Sequence, residues 1–235
     1  MNKYTILLLS LVLLSSCASP GGMRIDNYPM YGQPEISRPD FLQKADEDFI
    51  NKVGTEFGDR KKASTMWWQQ GDKFANEGNL DYAMRRYNQS WLLDPENYQP
   101  YWGFARVKTA TREYEEAFKY FKKANELIDD PYQKPALLTD TALGYHNKAN
   151  SLDKNNTQER DKYFTLANSK FEESTKLDPT YPNAWAAWAH SLYFQDNYKE
   201  SWVKVKKALE LDASLVSDTL LQNLKNKMPE PLQKK

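Results

Sequence analysis

The chain is poor in the residue types that build reaction centres. It has one cysteine, two histidines and nine glycines in 235 residues. A lone Cys17 excludes a disulfide within one molecule. His146 and His190 have no second histidine or cysteine nearby, so no zinc-ligand spacing exists. The few glycines form neither a dinucleotide fingerprint nor a phosphate-cradling loop, and no Gly-x-Ser-x-Gly elbow marks a nucleophile. An excess of one charge is also missing. Thirty-two basic residues face thirty-two acidic ones, and without a basic stripe no nucleic-acid partner is expected. Acidic pairs such as Glu115-Glu116 and Glu172-Glu173 are adjacent on helices, so their carboxylates point different ways. The chain is therefore expected not to be an enzyme, with no catalytic residue, no cofactor and no metal.

A long apolar run is absent too. Ile6 to Leu14, broken by Ser10, falls short of the roughly 20 residues that cross a bilayer. With Lys3 before it and small Ser15 and Ser16 after it, the stretch reads as a secretory signal. The ending Leu14-Ser15-Ser16-Cys17 resembles the lipobox of bacterial lipoprotein precursors. That resemblance implies removal of residues 1–16 and lipidation of Cys17, which would hang from a membrane by several acyl chains. Two or more such chains hold stably, at roughly 0.8 kcal/mol per buried CH₂. The alternative is an ordinary signal peptide with a chance cysteine. Ala18 stands where an aspartate would favour the inner membrane in enterobacteria-like members, so the outer membrane, facing the periplasm, is the expected location.

What the chain does have is aromatic residues, with seven tryptophans and fifteen tyrosines, enough to build a core. Residues 17–38 carry Pro20, Gly21, Gly22, Pro29, Gly32 and Pro34 without apolar periodicity, and are expected to be a flexible tether behind the lipidated cysteine. Tyr28, Met30 and Tyr31 are apolar for a spacer, and either pack back on the domain or meet a partner. From Pro39, Leu42, Ala45, Phe49, Ile50, Val53 and Phe57 recur at helical steps. An N-terminal helix is assigned to 39–63, with Gly58 as its stop.

The body repeats itself. Asp94-Pro95, Asp130-Pro131 and Asp178-Pro179 each close a helical pattern and precede a tyrosine. Repeat one, 64–97, carries Trp67, Gly71, Phe74, Gly78, Ala83, Tyr87 and Pro95. Repeat two, 98–131, carries Tyr101, Ala105, Tyr114, Ala117, Phe121 and Ala124. Repeat four, 182–213, carries Trp185, Ala189, Tyr198, Ser201, Ala208 and Leu211. These positions resemble the tetratricopeptide repeat (TPR), a helix–turn–helix of about 34 residues. Repeat three, 137–179, departs from it. Ala167 follows Gly144 by 23 residues, where Ala83 follows Gly71 by 12. Two lengthened helices, Pro135–Leu152 and Thr157–Leu177, are expected, with Asn156 and Glu159 as a capping box. The protruding tip is either functional or a tolerated insertion. Residues 214–235 are read as a capping helix and tail. The fold class implied is all-α, a right-handed TPR superhelix (α-solenoid) of about four helix pairs with an extra helix at each end.

In the family, helix-A positions 2, 5, 9, 12 and 13 line a concave groove. Carried over by register, they give Thr65, Trp68, Asp72, Ala75 and Asn76 in repeat one, then Gln99, Trp102, Arg106, Thr109 and Ala110 in repeat two. Repeat three gives Leu138, Thr141, Tyr145, Lys148 and Ala149, and repeat four gives Asn183, Ala186, His190, Tyr193 and Phe194. Trp68 with Asp72 and Trp102 with Arg106 replace the lysine and asparagine with which some members clamp a carboxylate. The groove expected to bind a partner comprises Trp68, Asp72, Trp102, Arg106, Tyr145, Lys148, His190, Tyr193 and Phe194. Trp, Tyr and Arg are the types that dominate binding hot spots. The function implied is an adaptor or assembly factor binding periplasmic or outer-membrane proteins. Similar TPR lipoproteins include pilotins, which assist pilus secretins, and adaptors that organise murein hydrolases. The sequence leaves both open, together with a structural subunit of a larger envelope machine.

Overall fold

The computed structural model describes residues 24–230. The expected signal stretch and Cys17 lie outside them. Ten α-helices follow in order among the described residues: α1 Asp40–Phe57, α2 Arg60–Asn76, α3 Leu80–Leu93, α4 Tyr98–Ala110, α5 Tyr114–Leu127, α6 Lys134–Ser151, α7 Thr157–Leu177, α8 Pro182–Phe194, α9 Tyr198–Leu211 and α10 Asp218–Lys227. Hairpins α2/α3, α4/α5, α6/α7 and α8/α9 stack into an α-solenoid.

Local chemistry sets the helix ends. Asp59 accepts from the amides of Lys61 and Lys62 at the start of α2. Asn79 and Asn97 do the same for Tyr82 and Gln99. α1 stops where Gly58 turns left-handed at φ +65°. The α2–α3 turn uses Gly78 at φ +78°, but the matching turns of the second and fourth hairpins use Arg112 at φ +65° and Asp196 at φ +56°. The expected capping box at α7 does not form in its backbone version. Asn156 instead donates from its side chain to the Glu159 carboxylate at 2.8 Å, and no side-chain oxygen caps an α7 amide.

Small residues let the helices meet. Ala83, Ala105, Ala117, Ala142, Ala167, Ala189 and Ala208 are all fully buried. The Tyr87 ring is gripped from two sides. A Cβ on Gly71 of α2 would come within 2.5 Å of it, and one on Gly103 of α4 within 2.6 Å. The ring thus serves its own hairpin and the next one. At the far end α10 lays Leu220 and Leu224 over Trp202, Val205 and Ala208, and the Trp202 indole N–H donates to the carbonyl of Met228 at 3.1 Å.

The tether assignment is corrected for residues 24–38, which form a strap docked on α3. Asn88, buried on α3, donates to the carbonyls of Asp26 and Tyr28 at 2.9 Å each and accepts from the Tyr31 amide at 3.4 Å. Tyr31 is buried, with the Arg38 guanidinium 3.8 Å from its ring centroid. Arg38 in turn pairs with Asp46 of α1. Met30 and Tyr31 sit at φ 51° and 54°, a conformation costing roughly 1–2 kcal/mol per non-glycine residue. Three hydrogen bonds to one buried amide and the burial of Tyr31 offset that cost.

Candidate functional site

The first helix of each hairpin, α2, α4, α6 and α8, presents one face to the concave side. Along it runs a charged network at a regular step. Arg106 of α4 pairs with Asp72 of α2, 34 residues earlier. Its Nη2 donates to Asn76 Oδ1 at 3.1 Å. Its Nε lies 3.7 Å from Asp140 Oδ2, the same step later on α6. One guanidinium therefore serves two carboxylates. The three side chains keep between 27% and 31% of their surface open, so they line the groove rather than the core.

The two tryptophans lie beside this network but are not both available. Trp68 and Trp102 stack with centroids 6.1 Å apart and planes at 28°. Trp68 is half-buried, and its indole N–H has no partner. Trp102 is only 6% exposed. Its N–H donates to Asp140 Oδ2 at 2.8 Å. Groove exposure of Trp102 is thus corrected: the residue supports the groove wall and fixes a carboxylate. Enclosure pushes the Asp140 pKa up, against the pull of Arg106 and of the Trp102 N–H.

Repeat three is out of register with its expected groove set. Leu138, Thr141 and Ala149 are buried. Tyr145 joins a three-ring cluster with Phe118 of α5 and Tyr163 of α7, at 4.5 and 6.3 Å. Lys148 points the same way, 3.4 Å from Glu115 and 5.6 Å from the Tyr163 centroid. Tyr145 and Lys148 are withdrawn from the groove. The cause is the glycine used as anchor. A Cβ on Gly144 would meet Phe121 of the preceding hairpin at 3.0 Å, as one on Gly103 would meet Tyr87, whereas Gly71 faces the Tyr87 of its own hairpin. Keeping the step that separates Asp72 from Arg106 brings Asp140 and Leu143 to the groove instead, and both line a pocket there. The signal for Asp140 was present in that step, continued once.

The C-terminal part of the groove holds His190, exposed, with Phe194, 44% exposed, 4.8 Å from it. Tyr193 leans instead on the core under α10 and on Tyr198. Behind His190 lies His146, buried and absent from the expected set. Asn150 donates to its Nε2 at 2.8 Å, leaving Nδ1–H to donate to Ser191 Oγ at 3.0 Å. Burial, reinforced by the His190 ring, lowers the His146 pKa to about 4. Among the described residues no group of three or more His, Cys, Asp or Glu is placed to hold a metal, and no helix is long and apolar enough to cross a membrane.

A pocket of about 410 Å³ opens between α6, α8 and the turn leading into α10. Asp140, Leu143, Tyr181, Asn183, His190 and Leu220 contribute to its wall.

The same fold occurs among solved structures. A thermophilic TPR protein of Thermus thermophilus aligns with a TM-score of 0.59 and 13% identity, over 70% of this chain and 80% of its own. MamA aligns at 0.47 and 16% identity, over 76% and 98%. The pilF protein of Pseudomonas aeruginosa aligns at 0.37 and 18% identity, over 71% and 85%. No protein-family model matches the sequence, and no curated protein matches it. The likeness to the Thermus protein shows a shared TPR fold.

Proposed function

We propose that this chain is a protein-binding scaffold whose concave groove receives an extended segment of a partner. Its place is the periplasmic face of the outer membrane, held by lipid on Cys17, where it serves as an adaptor or assembly factor for an envelope complex. The observation that carries the reading is the Asp72–Arg106–Asp140 network. It links three hairpins along the open face with partly exposed charges. Partly exposed ion pairs contribute little to stability, so a binding role accounts for it better than a folding one.

Crosslinking in living cells tests this, comparing proteins captured by a C-terminally tagged chain with those captured by Arg106→Ala. Loss of one envelope protein from the variant, at equal abundance, is the expected result. The same captures from both forms would remove the groove from the interaction. Labelling with an alkyne-bearing palmitate tests the anchor, with incorporation expected in the wild type and not in Cys17→Ser.

A further inference from the structure

Resting on the groove reading, we propose that the pocket between α6, α8 and the α10 turn takes a lysine or arginine side chain of the partner segment. The pocket is large enough for such a chain, at about 410 Å³. Its walls are mixed, with Leu143 and Leu220 beside Tyr181, Asn183 and His190. Among its lining residues Asp140 is the one acid, and no lysine or arginine stands in the wall to pair with it.

That carboxyl is under-partnered. Arg106 gives its close contact to Asp72 and reaches Asp140 only at 3.7 Å. The Trp102 N–H meets Asp140 Oδ2, and no donor among the described residues meets Oδ1. Arg106 and Asp72 offset one another beside the pocket, which leaves the Asp140 carboxyl as the group in its wall without a close cationic partner. A cation entering there would give Oδ1 its missing donor in a partly desolvated site, where charge-assisted hydrogen bonds are stronger than neutral ones. The apolar stem of lysine or arginine suits Leu143 and Leu220, since such stems lie along apolar surface while the head stays polar. The polarity is opposite to that of a clamp for a carboxylate.

The test is selection of random twelve-residue peptides displayed on phage against the full-length lipidated chain in detergent micelles. Four forms are compared: wild type, Asp140→Asn, Asn183→Lys and Ala186→Trp. Asp140→Asn keeps an acceptor for Trp102. Asn183 is exposed, so Asn183→Lys puts a positive charge at the mouth without touching the core. Wild type is expected to enrich lysine and arginine over aspartate and glutamate about tenfold, the scale of one hydrogen bond to a charged group. Asp140→Asn and Asn183→Lys should still recover peptides but lose that preference, and Ala186→Trp should recover none. Peptides recovered by wild type and blocked by Ala186→Trp, but without a basic preference, overturn the pocket inference and leave the groove reading standing. A basic preference that survives in both charge variants overturns it as well. Recovery that Ala186→Trp does not change, or no recovery at all, overturns both.

Discussion

Trp102 donates its indole N–H to Asp140 across the α4–α6 step, so an aromatic expected to meet a partner instead aims the carboxylate that lines the groove. Trp68, stacked on it, has a buried indole N–H with no acceptor. The two tryptophans should therefore respond differently to the same change. Trp102→Phe strips a hydrogen bond from a charged acceptor and should cost about 1.5–3 kcal/mol. Trp68→Phe removes an unsatisfied donor and should cost less than about 1 kcal/mol. Urea denaturation of both variants measures the difference.

Stability should fall in mild acid because of His146. Its folded pKa is about 4, below the ordinary value near 6.5. Between those values the unfolded chain takes up a proton that the folded one refuses, so stability present above pH 6.5 is lost as pH falls toward 4. The loss should be about 2–3 kcal/mol. The depressed pKa of His190 acts in the same sense. The raised pKa of Asp140 acts in the opposite one. Urea midpoints measured from pH 7 to pH 4.5 should slope downward, and His146→Gln should flatten most of that slope.

Gly103 should not tolerate a methyl group. A Cβ there would lie 2.6 Å from the Tyr87 ring, which Gly71 already confines from the other side. Overpacking of this kind costs about 1–3 kcal/mol. A thermal melt of Gly103→Ala should show a clear decrease, while Gly78→Ala, in open space, should lose only what its left-handed backbone costs.

The opposite change should stabilise the second hairpin. Arg112 holds φ +65° where Gly78 stands in the first. Arg112→Gly removes a conformational cost of about 1 kcal/mol, less the extra entropy of glycine in the unfolded chain. A small rise in melting temperature is expected, and the equivalent Asp196→Gly should give less, because aspartate tolerates this region better.

Much of this fold was legible because its determinants are local. Helical spacing of apolar residues marked α1, the repeat pattern marked the hairpins α2/α3 and α4/α5, and the extents expected for the lengthened third hairpin fall within a residue of Lys134–Ser151 and Thr157–Leu177. The rest depended on contacts distant in sequence. Gly144 was aligned with Gly71, although its close neighbour is Phe121 of the preceding hairpin. That misplaced Tyr145 and Lys148 and hid Asp140. The docked strap depends on Asn88, a polar residue in a helix interior whose partners lie some 60 residues earlier. The apolar character of Tyr28, Met30 and Tyr31 hinted at it without naming the surface. His146 gave no signal, since its partner Ser191 becomes a neighbour only when α6 meets α8.

The partner-binding groove is the central claim, and a photocrosslinking amino acid placed at single positions in living cells tests it most directly. Asn183 at the mouth of the groove pocket is compared with Tyr132, exposed in the loop between α5 and α6. A discrete crosslinked partner from position 183, absent from 132 and lost when Asp140→Asn and Arg106→Ala are added, is the result expected. A partner captured from 132 and never from 183 would contradict it and move the interaction off the concave face.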